Sequence, residues 1–212
     1  MSKLKHLMLL SSFGILLAAC GQDTTGGVSV TENEDVSSSE QTSEAASSKT
    51  TSEVGKRSNP VALGDTATQD FIFYTENSDE ELEGNRSITL SNVVKGDEVF
   101  EYLKDANEYN EEAPEGMEWV MVDVDYVLNH ASTEDDPVYV TPEFTIIGSD
   151  GSQISQDSVY PTLADGDEFG YADVYSGGSA KGKYAFYAPK DDDFLVEYND
   201  GSNNGIFWLF DK

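Results

Sequence analysis

Residues 119–128 read Trp119-Val120-Met121-Val122-Asp123-Val124-Asp125-Tyr126-Val127-Leu128, and this stretch decides the fold class. Val120, Val122, Val124, Tyr126 and Leu128 share one parity, and Asp123 and Asp125 share the other. Successive side chains of a strand point to opposite faces. Period two with β-branched residues therefore spells a strand with one face in a core and the other toward solvent.

The same reading extends in both directions. Upstream, Ile88-Thr89-Leu90 with Val94 repeats the apolar face. Downstream, Ala180, Tyr184, Phe186 and Ala188 alternate against Lys181, Lys183 and Tyr187, which directs Tyr184 inward and Tyr187 outward. Phe194, Val196 and Tyr198 alternate next, then Ile206, Trp208 and Phe210. Phe144 to Gly148 and Gln153 to Gln156 flank Ser149-Asp150-Gly151-Ser152, and Asp-Gly between strand-like runs is a strong hairpin signal. Residues 199–205 make a looser turn before the last strand. About seven or eight short strands with frequent turns predict an antiparallel all-β sandwich. One helix interrupts them. Val99, Tyr102, Leu103 and Ala106 follow helical spacing behind Asp97, which is placed to act as N-cap, and Pro114 and Gly116 end the segment.

The N-terminus has another character. Lys3, Lys5 and His6 precede an apolar run from Leu7 to Ala18, which is too short to span a bilayer. Leu17-Ala18-Ala19-Cys20 resembles the bacterial lipobox, which implies a lipoprotein signal over 1–19, cleavage before Cys20 and acylation of its sulfur. Two acyl chains on one residue suffice for durable anchoring. The expected location is the extracellular face of a cell membrane. Residues 21–58 contain no aromatic residue, and 37–52 read SSSEQTSEAASSKTTS. Such a segment buries too little apolar area to offset chain entropy, so 20–58 reads as a lipidated cysteine with a disordered linker. Its root-mean-square reach would be roughly 30–35 Å. The folded domain is expected over 59–212.

Charge narrows the partners. The chain carries 12 Lys+Arg against 41 Asp+Glu, a net charge of −29. Loss of Lys3 and Lys5 with the leader, and of no acid, takes it to −31. Phosphate backbones and anionic headgroups are repelled, so no nucleic acid is expected as partner and the domain should not lie on the membrane by itself. With a single cysteine there is no intramolecular disulfide.

Three stretches carry a resemblance: Ser58 to Asp65 (SNPVALGD); Gly96 to Leu103 (GDEVFEYL), with Ala106-Asn107 and Pro114 to Val120 (PEGMEWV); and Tyr184 to Asp191 (YAFYAPKD). They are similar to the opening strand, the helix with its following strand, and the late strand and turn of a family of secreted domains of unknown function. That family belongs to the immunoglobulin-like superfamily of a mycobacterial immunoprotective extracellular antigen. The long hydrophilic spacer is similar to those of Gram-positive surface lipoproteins. The resemblance implies an immunoglobulin-like sandwich over about 59–212. Its motifs are structural and imply no functional residue.

Chemistry-bearing residues are sparse. With His6 in the leader, His130 in Asn129-His130-Ala131-Ser132 is the remaining histidine, and no oxyanion or elbow motif accompanies it. Asp123 and Asp125 could form a carboxylate pair, but alternation puts them on a solvated face. Three acidic loops offer oxygen ligands that calcium accepts: Glu134-Asp135-Asp136, Asp165-Gly166-Asp167-Glu168 and Asp191-Asp192-Asp193. Candidate ligands are Asp135, Asp136, Asp165, Asp167, Asp191 and Asp192, none at EF-hand spacing. Tyr171, Tyr175, Tyr184 and Tyr187 could form a patch for a protein or glycan.

The expectation is a lipid-anchored, non-catalytic binding or accessory module with no cofactor, holding the membrane through Cys20 and taking a protein or cell-wall ligand. A calcium-loading structural domain is the alternative, and a carboxylate-based hydrolase the next. Exposed aromatics grouped on one sheet would favour the first. Converging acidic loops would favour the second, and a cleft with a buried carboxylate pair the third.

Overall fold

The computed structural model describes residues 27–33, 54–75, 78–157, 160–201 and 205–212. Cys20, the leader and most of the expected linker lie outside them. In chain order the elements are β1 (Ser29–Thr31), β2 (Thr66–Thr75), β3 (Ser78–Lys95), α1 (Asp97–Ala106), β4 (Met117–Ala131), β5 (Val138–Val140), β6 (Phe144–Gly148), β7 (Gln153–Ile154), β8 (Ala172–Val174), β9 (Ser179–Pro189), β10 (Phe194–Tyr198) and β11 (Ile206–Phe210).

The alternation at 119–128 becomes the middle of β4, which pairs antiparallel with β3 on one side and β9 on the other. These strands belong to a five-stranded sheet of order β1-β2-β3-β4-β9. A four-stranded sheet, β11-β10-β6-β7, packs against it, and β5 and β8 form a separate two-stranded ribbon. The fold is an antiparallel β-sandwich with one short helix. Val120, Val122, Val124, Tyr126 and Leu128 of β4 meet Ile146, Phe194, Val196, Ile206, Trp208 and Phe210 of the facing sheet in one continuous core. The predicted hairpin at Asp150-Gly151 joins β6 to β7, with Gly151 at φ 85°.

Four local readings are corrected. Val94 does not continue the face of Ile88 and Leu90, because a bulge between Ser91 and Val94, with Asn92 at φ 50°, flips the register. Asp97 is not the N-cap: Gly96 holds that place at φ 73° without a side-chain cap, and Asp97 and Glu98 instead put negative charge in the first turn. Tyr187 does point to the opposite face from Tyr184 but does not reach solvent. It lies with Val99, Leu103, Trp119, Met121 and Ala185 in a second core beneath α1. The opening segment 58–65 is no strand. It meets β11 at the isolated bridge from Val61 to Trp208, where Val61 N donates to Phe207 O at 2.8 Å.

The ordered sheet also starts before Asn59. β1 pairs with β2 through Ser29↔Thr68, Val30↔Ala67 and Thr31↔Thr66. Val28 is buried beside Gly55, and Asn33 Nδ2 donates to Gly64 O at 2.8 Å and to Thr66 Oγ1 at 3.0 Å. Part of the expected linker is thus an edge strand of the domain.

Candidate binding face

The ribbon of β5 and β8 is built from two short alternations, Val138-Tyr139-Val140 and Ala172-Asp173-Val174. Their register is Val138↔Val174, Tyr139↔Asp173 and Val140↔Ala172. Val138, Val140 and Val174 enter the main core. That burial turns the opposite parity outward, leaving Tyr139 59% exposed, with Asp173 exposed opposite it. Tyr171 and Tyr175, two residues either side of Asp173, are 60% and 52% exposed.

The ribbon's ends are fixed by close contacts. Tyr171 is in the left-handed region at φ 54°, next to Gly170 at φ 97°. A Cβ on Gly170 would meet Pro142 Cδ at 2.8 Å, so glycine is required where 170–171 crosses the chain leading into β6. At the other end, Gly177 N donates to Leu128 O at 2.7 Å, and Leu128 N to Gly178 O at 3.0 Å. The Ser176 hydroxyl accepts from Ala131 N at 3.1 Å. The turn after Tyr175 is thereby tied to the end of β4. Tyr184 sits half-buried behind this region, its ring 4.6 Å from that of Phe144. Burial pushes its hydroxyl up to about 12, and the charges of Tyr171 and Glu143 add to the shift.

The ribbon is electrostatically one-sided. Residues 131–142 and 165–179 include Glu134, Asp135, Asp136 and Asp173 and contain no Lys, Arg or His. Three tyrosines and a carboxylate on a rigid, acid-rimmed surface can stack on flat groups, accept hydrogen bonds and attract positive charge.

The other candidates are placed differently. Asp123 and Asp125 stand on the outer face of β4 and line an open groove of about 360 Å³ with Ser91, Gly166, Asp167, Lys181 and Lys183. Asp125 pairs with Lys181, and Lys183 Nζ reaches Asp123 Oδ1 at 2.8 Å. Burial alone would raise Asp123, but hydrogen bonds from Lys183 and Asn92 outweigh it and hold its carboxyl below the ordinary range. These carboxylates thus serve cross-strand ion pairs. His130 is exposed at the end of β4, opposite Asn85.

The acidic loops stay apart. Asp135 and Asp136 precede β5, Asp165 and Asp167 lie in the loop against β9, and Asp191 and Asp192 turn between β9 and β10. Among the described residues no three His, Cys, Asp or Glu side chains group around a metal-sized position. Asp167 accepts from Tyr102 at 2.8 Å, and Asp192 from Ser149 at 2.6 Å.

Several polar positions escape the pattern. Tyr139 completes the exposed cluster but sits in only three alternating residues behind an acidic turn. Arg86, 1% exposed, projects into the sandwich. Its Nη2 donates to Gln69 Oε1 at 3.0 Å, its Nη1 pairs with Asp200, and its guanidinium lies 4.5 Å from the Phe71 ring centroid and 5.1 Å from that of Tyr198. Gln156 imitates a strand partner, donating to Tyr187 O at 2.9 Å and accepting from Tyr187 N at 3.0 Å.

No family model matches the chain, and no curated protein matches it in sequence. Solved structures show limited similarity. A Bacillus subtilis protein provisionally classed as a lipoprotein, YcdA, superposes with TM-score 0.43 at 13% identity over 59% of this chain, which spans about a third (36%) of that protein's length. The secreted Mycobacterium tuberculosis protein MPT63 gives TM-score 0.41 at 14% identity, covering 72% of this chain and 98% of its own. An uncharacterised β-sandwich protein of Clostridium difficile gives 0.32 at 11%, covering 78% and 97%.

Proposed function

We propose that this protein is a lipid-anchored extracellular binding module, acting by recognition and not by turnover, and that the outer face of the β5–β8 ribbon is its recognition surface. One observation carries this reading. Tyr139, opposite Asp173 in register, and Tyr171 and Tyr175, two residues to either side of it, stand exposed at a ribbon whose other face is locked into the core. Large exposed aromatics on a fixed scaffold lose little entropy on contact and bury much area, which suits a binding surface. Membrane attachment rests on the signal-like leader and Leu17-Ala18-Ala19-Cys20. Cys20→Ala should abolish acyl labelling and release the protein from washed membranes. A mutant that stays bound would place the anchor elsewhere.

The binding face is tested with the chain 20–212 carrying Cys20→Ser, which retains every described residue. Retention on a bacterial envelope preparation is compared with that of a Tyr139→Ala/Tyr175→Ala variant whose circular dichroism is unchanged. A loss of about tenfold is expected, as for two aromatic contacts. Equal retention would remove the ribbon from consideration. Screening on glycans, esters and peptides addresses catalysis. Turnover that vanishes in Asp123→Asn/Asp125→Asn would overturn the non-catalytic reading.

A further inference from the structure

We infer that the ligand of the β5–β8 face is a cationic polypeptide segment, its Lys or Arg side chains seated on the rings of Tyr139, Tyr171 and Tyr175 and neutralised by Asp173. This rests on the binding-face reading and names the ligand class. An aromatic face attracts a cation through its quadrupole, and an adjacent carboxylate adds direct charge complementarity. The register sets Asp173 opposite Tyr139, with Tyr171 and Tyr175 two residues to either side. One carboxylate therefore stands opposite one exposed ring and two residues from each of two more.

The charge around the face selects the occupant. The segments forming the ribbon and its approaches, 131–142 and 165–179, hold acids and no base. A net charge of −29 sets the long-range sign as well. An anionic ligand would be repelled, and so would a second copy of this chain. A cationic segment would be steered in. The molecule uses the same combination internally. Arg86 lies over the rings of Phe71 and Tyr198 and pairs with Asp200. The ribbon presents rings and a carboxylate outward, with the cation left for a partner to supply.

The probe is a capped decapeptide of alternating Lys and Gly, with a Glu–Gly decapeptide and chitotetraose as comparisons. Calorimetry and ¹⁵N chemical-shift mapping are run on the 20–212 chain with Cys20→Ser at about 150 mM salt, where diffuse attraction is screened. The Lys–Gly peptide should bind and shift resonances at 138–141 and 171–176, while the Glu–Gly peptide should not. Tyr139→Leu and Tyr175→Leu each conserve charge and should weaken binding about two- to fivefold, and together about tenfold. Tyr139→Phe keeps the ring and should stay within about twofold of wild type. Asp173→Asn should weaken binding, whereas Asp125→Asn, which removes the same charge from the outer face of β4, should not. If the leucine variants fail to fold, the Phe and Asn variants decide.

Equal losses from Asp173→Asn and Asp125→Asn with silent tyrosines would mean diffuse charge attraction and overturn the inference. Chitotetraose shifting the same resonances while the peptide does not would replace the ligand class and leave the binding face standing. No response to any probe, together with undiminished envelope retention of the Tyr139→Ala/Tyr175→Ala variant, would remove both.

Discussion

Arg86 shows how a single residue can defeat a reading by polarity. It shares the inward parity of Ile88 and Leu90, so β3 carries a guanidinium into the core. There Gln69, Asp200 and two rings take the place of water. A buried ion pair is costly to break from one side. Asp200→Ala should lower unfolding stability by about 3 kcal/mol, and Arg86→Met in the same chain should restore much of it. Urea unfolding of the single and double variants measures both, and additive losses would contradict the pairing. Two buried tyrosines, Tyr126 and Tyr198, and the half-buried Tyr184 give a second test. Burial pushes Tyr126 and Tyr184 up to about 12 and raises Tyr198 as well. A folded value above the unfolded one of about 10 contributes stability that is fully present below pH 10 and is lost between pH 10 and 12. The loss is of order 2–3 kcal/mol each for Tyr126 and Tyr184. The tyrosinate absorbance at 295 nm should go on rising towards pH 12, and that rise should accompany loss of circular dichroism. A single early transition without unfolding would contradict this burial.

At the scale of elements, strand positions were legible from alternation because the main core demands one apolar parity. Which outer faces stay wet was less legible, because that depends on what packs over them. Over Val120 to Val122 both parities of β4 are apolar, with Trp119 and Met121 on the second, and that doubled pattern marks a strand buried on both faces. Further along the strand, Asp123 and Asp125 stay outside the helix's footprint and pair with Lys183 and Lys181. The bulge at Asn92 left no local signal, since one extra residue in a run of polar and β-branched types reads as strand. The helix itself should be separable from the sandwich. Leu103→Ala should cost about 2–4 kcal/mol and shift Trp119 fluorescence to the red, because the Trp119 and Tyr187 rings, 5.7 Å apart, lie under that side chain's core. Unchanged fluorescence with the same destabilisation would mean that the layer loosens elsewhere. The candidate face was half legible. Tyr171 and Tyr175 stood out, but Tyr139 joins them only through the pairing of β5 with β8, a contact 34 residues apart in sequence that no local pattern encodes.

At the scale of the whole molecule, β1 redraws the boundary between domain and spacer. A chain beginning at Asn59 lacks the β1–β2 ladder, the packing of Val28 and both hydrogen bonds of Asn33. It should still fold, since the large core lies elsewhere, but melt a few degrees below a chain beginning at Gly27. Identical melting would show that β1 contributes nothing to the domain. If β1 holds, the mooring of an acylated protein changes. Only residues 21–26 separate Cys20 from Gly27, a span of at most about 25 Å when fully extended. Residues 34–53 then join two attached points, Asn33 and Val54, and add nothing to the height above the bilayer. In a chain acylated at Cys20 the molecule would be a boat on a short painter, its β1 edge kept within that length of the bilayer.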